Sequence, residues 1–182
     1  MTTTVYRQHI EGFGTVTLAP VEPDRDLDLL YGWVTEERAR FWGMREADRA
    51  RVREIYAHLD ALDTHHAYLV HRDGRPIALF QTYRPEADPI GDCYDARPGD
   101  IGIHLLLGPP DPQVTRRPGF TSDLLTVLIA FVLADPDCRR IVAEPDARNF
   151  RAVRRVVRTG FTLGPVVELP DKEAQFAFLE RP

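Results

Sequence analysis

Ile101-Gly102-Ile103-His104-Leu105-Leu106-Leu107, followed after a proline-rich link by Arg116-Arg117-Pro118-Gly119-Phe120-Thr121, is the stretch that decides the fold. Its first half is a nearly unbroken apolar run, the composition of a strand that lies centrally in a sheet and is covered on both faces. Its second half leads into Thr121 to Ala134, where Leu125, Leu128, Ile129 and Val132 recur at helical spacing and form one apolar face to pack on that strand. Asp135-Pro136 ends the helix, Arg140 to Glu144 reads as the next strand, and Asn149 to Arg158 as a helix stopped by Gly160. Strands over Phe161 to Leu169 and Ala174 to Leu179 close the chain. Strand, helix, strand, helix in this order predicts parallel neighbours in the second half.

Working back from the central strand, Ala67 to Val70 and Ile77 to Tyr83 flank Asp73-Gly74, a two-residue turn signal that predicts an antiparallel hairpin. Before it come a strand at Thr15 to Leu18, a short amphipathic helix at Asp24 to Trp33 and a longer one at Arg45 to Leu62. The predicted class is therefore α/β (α+β): one mixed sheet flanked by helices, in a single domain over residues 1–182. Gly12-Phe13-Gly14 lacks the preceding strand that a dinucleotide-binding loop requires.

Bulk properties narrow the function classes. With 43% hydrophobic residues the chain buries a sizeable core, and a formal charge of -5 argues against a sequence-independent grip on nucleic acid or an anionic membrane. Cys93 and Cys138 stand apart, with no CxxC pair and no histidine at metal-ligand spacing, which predicts reduced thiols and no metal site. The first residues lack the layout of a signal peptide, and the longest apolar stretch, Leu124 to Ala134, is too short to span a bilayer, so a cytoplasmic protein is expected. The sequence assigns no oligomeric state.

The junction between the central strand and the next helix carries chemistry. Unpaired N–H groups at a helix start, with the helix dipole behind them, suit a pyrophosphate, and Gly119 lets backbone approach closely; an ordinary capped helix after a loop fits the same residues. His104 alternates onto the face of Gly102, away from Ile101, Ile103 and Leu105. An imidazole there is suited to accept a proton near neutrality, or is a buried histidine satisfied by a backbone carbonyl. Asp146, after a strand and before a helix, is suited to orient His104, to bind an amine, or to serve as a turn or capping carboxylate. Phe41 and Trp42 read as a wall for an aliphatic substrate or as core aromatics at a helix end. Arg148, Arg151, Arg155 and Arg158 form a basic helix stripe, for which a solvated face is the simplest account.

Arg116, Gly119 and Thr121 occupy the motif positions of a loop that resembles the acetyl-CoA pyrophosphate loop of the GNAT superfamily, with Thr121 where a small residue is usual. Asn149-Phe150-Arg151-Ala152 and Gly160-Phe161 are similar to the second acyl-CoA segment of that superfamily. A finer resemblance, over roughly residues 40 to 180, is to the acyltransferases of hydroxamate siderophore biosynthesis. It rests on Phe41-Trp42-Gly43-Met44, on Gly99 to Leu106, on Ile141 to Asn149 and on Pro170-Asp171-Lys172.

The resemblance implies an acyl-CoA-dependent N-acyltransferase, with acetyl-CoA or succinyl-CoA as co-substrate, no metal, and a small hydroxylated amine as acceptor. It implies His104 and Asp146 as catalytic residues; Leu105, Leu107, Arg116, Arg117, Gly119, Phe120, Thr121, Asn149 and Arg151 around CoA; and Phe41, Trp42, Gln81, Tyr83 and Lys172 around the acceptor. Lys172 would hold a carboxylate of an acyl group or an amino acid. Gln81 stands where relatives often have Glu, and Val156 where many carry the tyrosine that protonates the departing thiolate. A GNAT enzyme acting on an ordinary small amine, and a non-catalytic acyl-CoA-binding module, are the alternatives.

Overall fold

The computed structural model describes residues 3–112 and 118–182. It contains a mixed sheet of eight strands and four α-helices. Two compact units divide the chain, Met1–Gln81 with Leu105–Arg117 and Thr82–His104 with Pro118–Pro182.

In the first unit, β1 (Tyr6–Ile10) pairs antiparallel with β2 (Gly14–Pro20), from Tyr6↔Leu18 to Ile10↔Gly14. Strand β2 in turn pairs antiparallel with β3 (His65–Arg72), and β4 (Arg75–Tyr83) follows, in the order β1-β2-β3-β4. At the predicted Asp73-Gly74 turn both residues take positive φ, 50° and 81°, the pair of left-handed conformations that a type I′ hairpin demands. The glycine carries this at no steric cost, and the aspartate carboxylate accepts the Thr15 N–H at 2.9 Å. Helix α1 (Leu27–Val34) and helix α2 (Arg49–Asp60) supply the apolar partners of this unit: Leu30, Val34, Val52 and Tyr56 pack with Leu69, Leu79 and Leu106. Asp48 caps α2 by accepting the Arg51 N–H at 2.7 Å.

In the second unit the order is β5-β6-β8-β7. Strand β5 (Asp100–Leu107) starts in this unit and pairs in parallel with β6 (Arg140–Ala143), from Asp100↔Arg140 to Ile103↔Ala143. Between them in sequence lies α3 (Phe120–Leu133), which buries Leu124, Leu125, Val127, Leu128 and Val132. Strand β8 (Glu173–Glu180) pairs antiparallel with β6 on one side and with β7 (Thr162–Glu168) on the other. Helix α4 (Phe150–Arg158) precedes β7. Val142, Ala174 and Phe176 form the buried centre here, with Tyr94 and Phe178 against them.

Three expectations change. The first strand of the chain, Tyr6–Ile10, is absent from the sequence reading. Gly12 and Phe13 lie in the β1–β2 turn and Gly14 opens β2, so a strand does precede this segment but another strand, not a helix, follows it; Phe13 is buried. The helix expected over 45–62 is confined to Arg49–Asp60.

Candidate functional site

The site grows from the parallel pairing of β5 and β6. Their register sets Asp100 to Ile103 each against the residue forty positions later, and the ladder stops at Ile103↔Ala143. One step further, His104 lies beside Glu144, and His104 Nε2 meets Glu144 Oε1. The imidazole is part exposed, with 38% of its side chain accessible, whereas the carboxylate is 3% accessible. A charge that is accessible on one side and anchored on a buried partner is the arrangement a proton-transfer group needs.

Glu144 is held from three directions. Its Oε1 also accepts the Tyr83 hydroxyl at 3.0 Å, and Lys172 Nζ donates to its Oε2 at 2.5 Å and to its backbone oxygen at 2.7 Å. Burial alone would raise the carboxyl pKa, but the adjacent His104 and Lys172 outweigh it and bring the value down to about 2. Glu144 is therefore an anion that only accepts hydrogen bonds. It follows that the Nε2 facing it carries a proton, and that the neutral imidazole has its lone pair on Nδ1.

Tyr83 fixes the ring from the side. It is 4% exposed, its ring centroid is 5.1 Å from that of His104, and burial followed by the Glu144 charge pushes its phenol well above its ordinary pKa. It remains a neutral donor. Its position depends on Gly102, because a Cβ there would fall 2.0 Å from the Tyr83 ring. The glycine in the central strand is thus a space requirement for the aromatic ring.

The remaining predicted residues fall as follows. Asp146 does not partner His104. Its carboxylate accepts Arg148 Nη2 at 2.7 Å, Arg148 Nε at 3.0 Å and the Arg148 backbone N–H at 2.9 Å, which makes it a turn carboxylate. The side-chain bond to Arg148 is foremost in holding its pKa low. The carboxylate expected at His104 is Glu144, two residues earlier. Lys172, expected to hold a carboxylate of the substrate, holds that of Glu144. Trp42 donates its indole N–H to the Tyr56 hydroxyl at 3.3 Å and packs against the helical core of the first unit, and the Arg40 guanidinium lies 4.9 Å from the Phe41 ring centroid. Gln81 is part buried on β4, two residues before Tyr83 and on the same face of that strand.

Among the residues expected around CoA, Gly119 adopts φ 88° at the start of α3, and a Cβ built on it meets no described atom within 4 Å. Asp123 N–H bonds the Gly119 carbonyl at 2.9 Å, so the N–H groups before it head a fourteen-residue helix, the arrangement that receives an anion. Phe120 is buried and Thr121 part buried, and Leu105 and Leu107 are part buried on β5 beyond its recorded ladder with β6. Asn149 caps α4 by accepting the Ala152 N–H at 3.2 Å, and Arg151 is exposed. Arg116 and Arg117 lie outside the described residues. Among the described residues no group of three or more His, Cys, Asp or Glu side chains is placed to hold a metal ion. No described helix is long and apolar enough to cross a membrane.

The second unit thus holds a part-exposed imidazole set against a buried carboxylate, and a glycine-started helix follows β5 in the chain. Residues 22–169 match the family described as Acetyltransferase (GNAT) domain, and the chain belongs to that family. It is 31% identical over 139 residues to lysine N-acyltransferase MbtK of Mycobacterium sp. (strain MCS), covering 75% of this chain and 55% of that protein. It is 25% identical over 163 residues to the N(6)-hydroxylysine O-acetyltransferase of Escherichia coli, covering 88% of this chain and 50% of that one. The chain thus spans about half the length of these two curated relatives. The structure of AAC(6')-Ib in complex with ribostamycin and coenzyme A superimposes with a TM-score of 0.78 at 26% identity, covering 91% of this chain and 93% of that one.

Glu144 is the site residue that sequence reasoning passed over. What marks it is the register, which only the structure supplies: Glu144 directly follows the four buried residues of β6, at the same forty-residue offset from His104 as Arg140 from Asp100.

Proposed function

We propose that the chain transfers an acyl group from acyl-CoA, acetyl-CoA or succinyl-CoA, to the nitrogen of a small N-hydroxylated amine, giving a hydroxamate of the kind used in siderophores for iron acquisition. The observation that carries the reading is the His104–Glu144 pair with Tyr83 packed beside it. The acceptor nitrogen attacks the thioester carbonyl directly, the new C–N bond forms as the C–S bond breaks, and the nitrogen proton passes to His104 Nδ1. The resulting imidazolium is stabilised by the anionic Glu144 on its other nitrogen and returns the proton to the departing sulfur or to water. Because Val156 stands where a tyrosine is usual and Tyr83 is engaged with Glu144, His104 itself is the proton source within reach of this scheme.

A hydroxylamine nitrogen is largely neutral at pH 7, so orientation and late proton removal suffice. A part-exposed imidazole matches that modest demand. The relative that acts on N(6)-hydroxylysine supports this acceptor class. The α3 start with Gly119, the Asn149 cap and Arg116, Arg117 and Arg151 would hold the phosphates and pantetheine arm of CoA, with Leu105, Leu107, Phe120 and Thr121 along it. Gln81, Tyr83, Phe41 and Trp42 belong to the acceptor side in this reading. A cytoplasmic location is part of it.

A second reading, transfer to an ordinary amine, is supported by the likeness to the ribostamycin-bound AAC(6')-Ib. Thiol release from acetyl-CoA and succinyl-CoA with matched acceptors separates the two: cadaverine and N-hydroxycadaverine, lysine and N6-hydroxylysine, ornithine and N5-hydroxyornithine, and ribostamycin. Turnover confined to hydroxylated acceptors is the expected result; equal or faster turnover of the plain amines or of ribostamycin would overturn it.

A further inference from the structure

Lys172 does not simply line the site. Its position is fixed by the β7–β8 turn, where the Leu169 N–H bonds the Lys172 carbonyl at 2.8 Å, and its Nζ donates both to the backbone oxygen and to Oε2 of Glu144. The ammonium side chain is 19% accessible and the carboxylate 3%. Glu144 thus has two cationic neighbours of different kinds: Lys172 on Oε2, and on Oε1 an imidazole that is charged only when it holds a second proton.

A buried carboxylate demands a positive partner. We infer that Lys172 is a positioning residue that keeps His104 in its proton-accepting form, by giving Glu144 a standing countercharge so that the carboxylate does not draw a second proton onto the imidazole. This rests on the proposed transferase reading, in which His104 takes the proton of the acceptor nitrogen. The other groups facing the pair leave this balance intact. Tyr83, from β4, stays neutral because burial and Glu144 oppose its ionisation, with Asp88 and Tyr94 adding to the same effect. Asp146, whose charge is also felt by Lys172, is paired with Arg148.

The sign of the effect is opposite for the two neighbours of His104. Removing Glu144 takes away the anion that stabilises the imidazolium, and removing Lys172 leaves that anion wholly to the imidazole. In Lys172→Met the resting imidazole holds its second proton to higher pH and the base is lost near neutrality.

The test uses two readouts on the full chain. One is the pH dependence of kcat/KM with acetyl-CoA and N-hydroxycadaverine for the wild type, Lys172→Met and Lys172→Arg. The other is the titration of the His104 ring followed by NMR, assigned by its loss in His104→Gln, which requires no turnover. Lys172→Met is expected to move the rising limb and the ring titration upward by about one pH unit, a loss of about tenfold in kcat/KM below the limb that is regained at high pH. Lys172→Arg keeps the wild-type profile. In a Glu144→Gln background the same lysine substitution moves the ring titration by less than about a third as much, since the effect passes through the carboxylate. An unmoved limb and titration, a downward movement, or an undiminished movement without Glu144 would each overturn the inference. Should Lys172→Met fail to fold, Lys172→Gln is read in the same way. Absence of turnover in the wild type with every hydroxylated acceptor would count against the transferase reading alone, because the ring titration still decides the role of Lys172.

Discussion

The two ends of the β5–β6 pairing carry two charge clusters, each built on a buried carboxylate, that look alike and behave differently. At the N-terminal end Arg140 grips Asp100 with two hydrogen bonds, Nε to Oδ1 at 2.8 Å and Nη2 to Oδ2 at 2.7 Å, and both side chains are almost fully buried. Tyr94 and the Arg97 backbone N–H complete the carboxylate, and the Arg140 guanidinium lies 4.6 Å from the Phe178 ring centroid. Burial would raise the Asp100 pKa, yet these partners hold it below its ordinary value. At the C-terminal end the same register sets His104 against Glu144, with Lys172 and Tyr83 around it.

The difference lies in the cation. A guanidinium never gives up its proton, so the Asp100–Arg140 end can only hold the strands and the loop before β5 in place. An imidazole can give up or take on its second proton, and this one sits where the ladder between the strands ends and one side of the ring reaches solvent. One cluster is a fastening and the other can work.

The comparison is broken most severely at its fixed end. Arg140→Met leaves Asp100 buried without a countercharge and is expected to cost about 3–5 kcal/mol of stability, read by urea unfolding. A cost under about 1 kcal/mol would mean that the pair is incidental. A smaller effect sharpens the working end. Glu144 has a folded-state pKa of about 2 against an ordinary 4.5, so its contribution to stability is present above pH 4.5 and is lost as pH falls through that window toward 2. Comparing the wild type with Glu144→Gln, the variant should lose less stability over the same acid window. Parallel acid profiles would place the titrating carboxylate elsewhere.

Much of the framework was legible in the residues. The Asp73-Gly74 hairpin, the apolar β5 run and the strand–helix–strand order each rest on local chemistry that the tertiary structure preserves. Strand β1 was not legible, because Tyr6 to Ile10 is a half-exposed strand with Arg7 and His9 on its outer face and no apolar run to announce it. His104 could be placed on its face by alternation alone, but its partner could not. Asp146 and Glu144 are both acidic and only two residues apart, and which of them meets the imidazole depends on the register of the parallel pair and on β6 ending at Ala143. The resemblance sets Lys172 on the acceptor side, holding a carboxylate of an acyl group or an amino acid. Only the return of the β7–β8 turn toward Glu144 reveals what it holds.

The most direct measurement is made on His104→Ala, with thiol release from acetyl-CoA in the presence of N-hydroxycadaverine and urea unfolding followed on the same preparation. Glu144 keeps Lys172 and Tyr83 as partners in this variant. Stability should therefore stay within about 1 kcal/mol of the wild type, while turnover falls about 10²–10⁴-fold and CoA binding is retained. Wild-type turnover in a folded, CoA-binding His104→Ala protein would contradict the account.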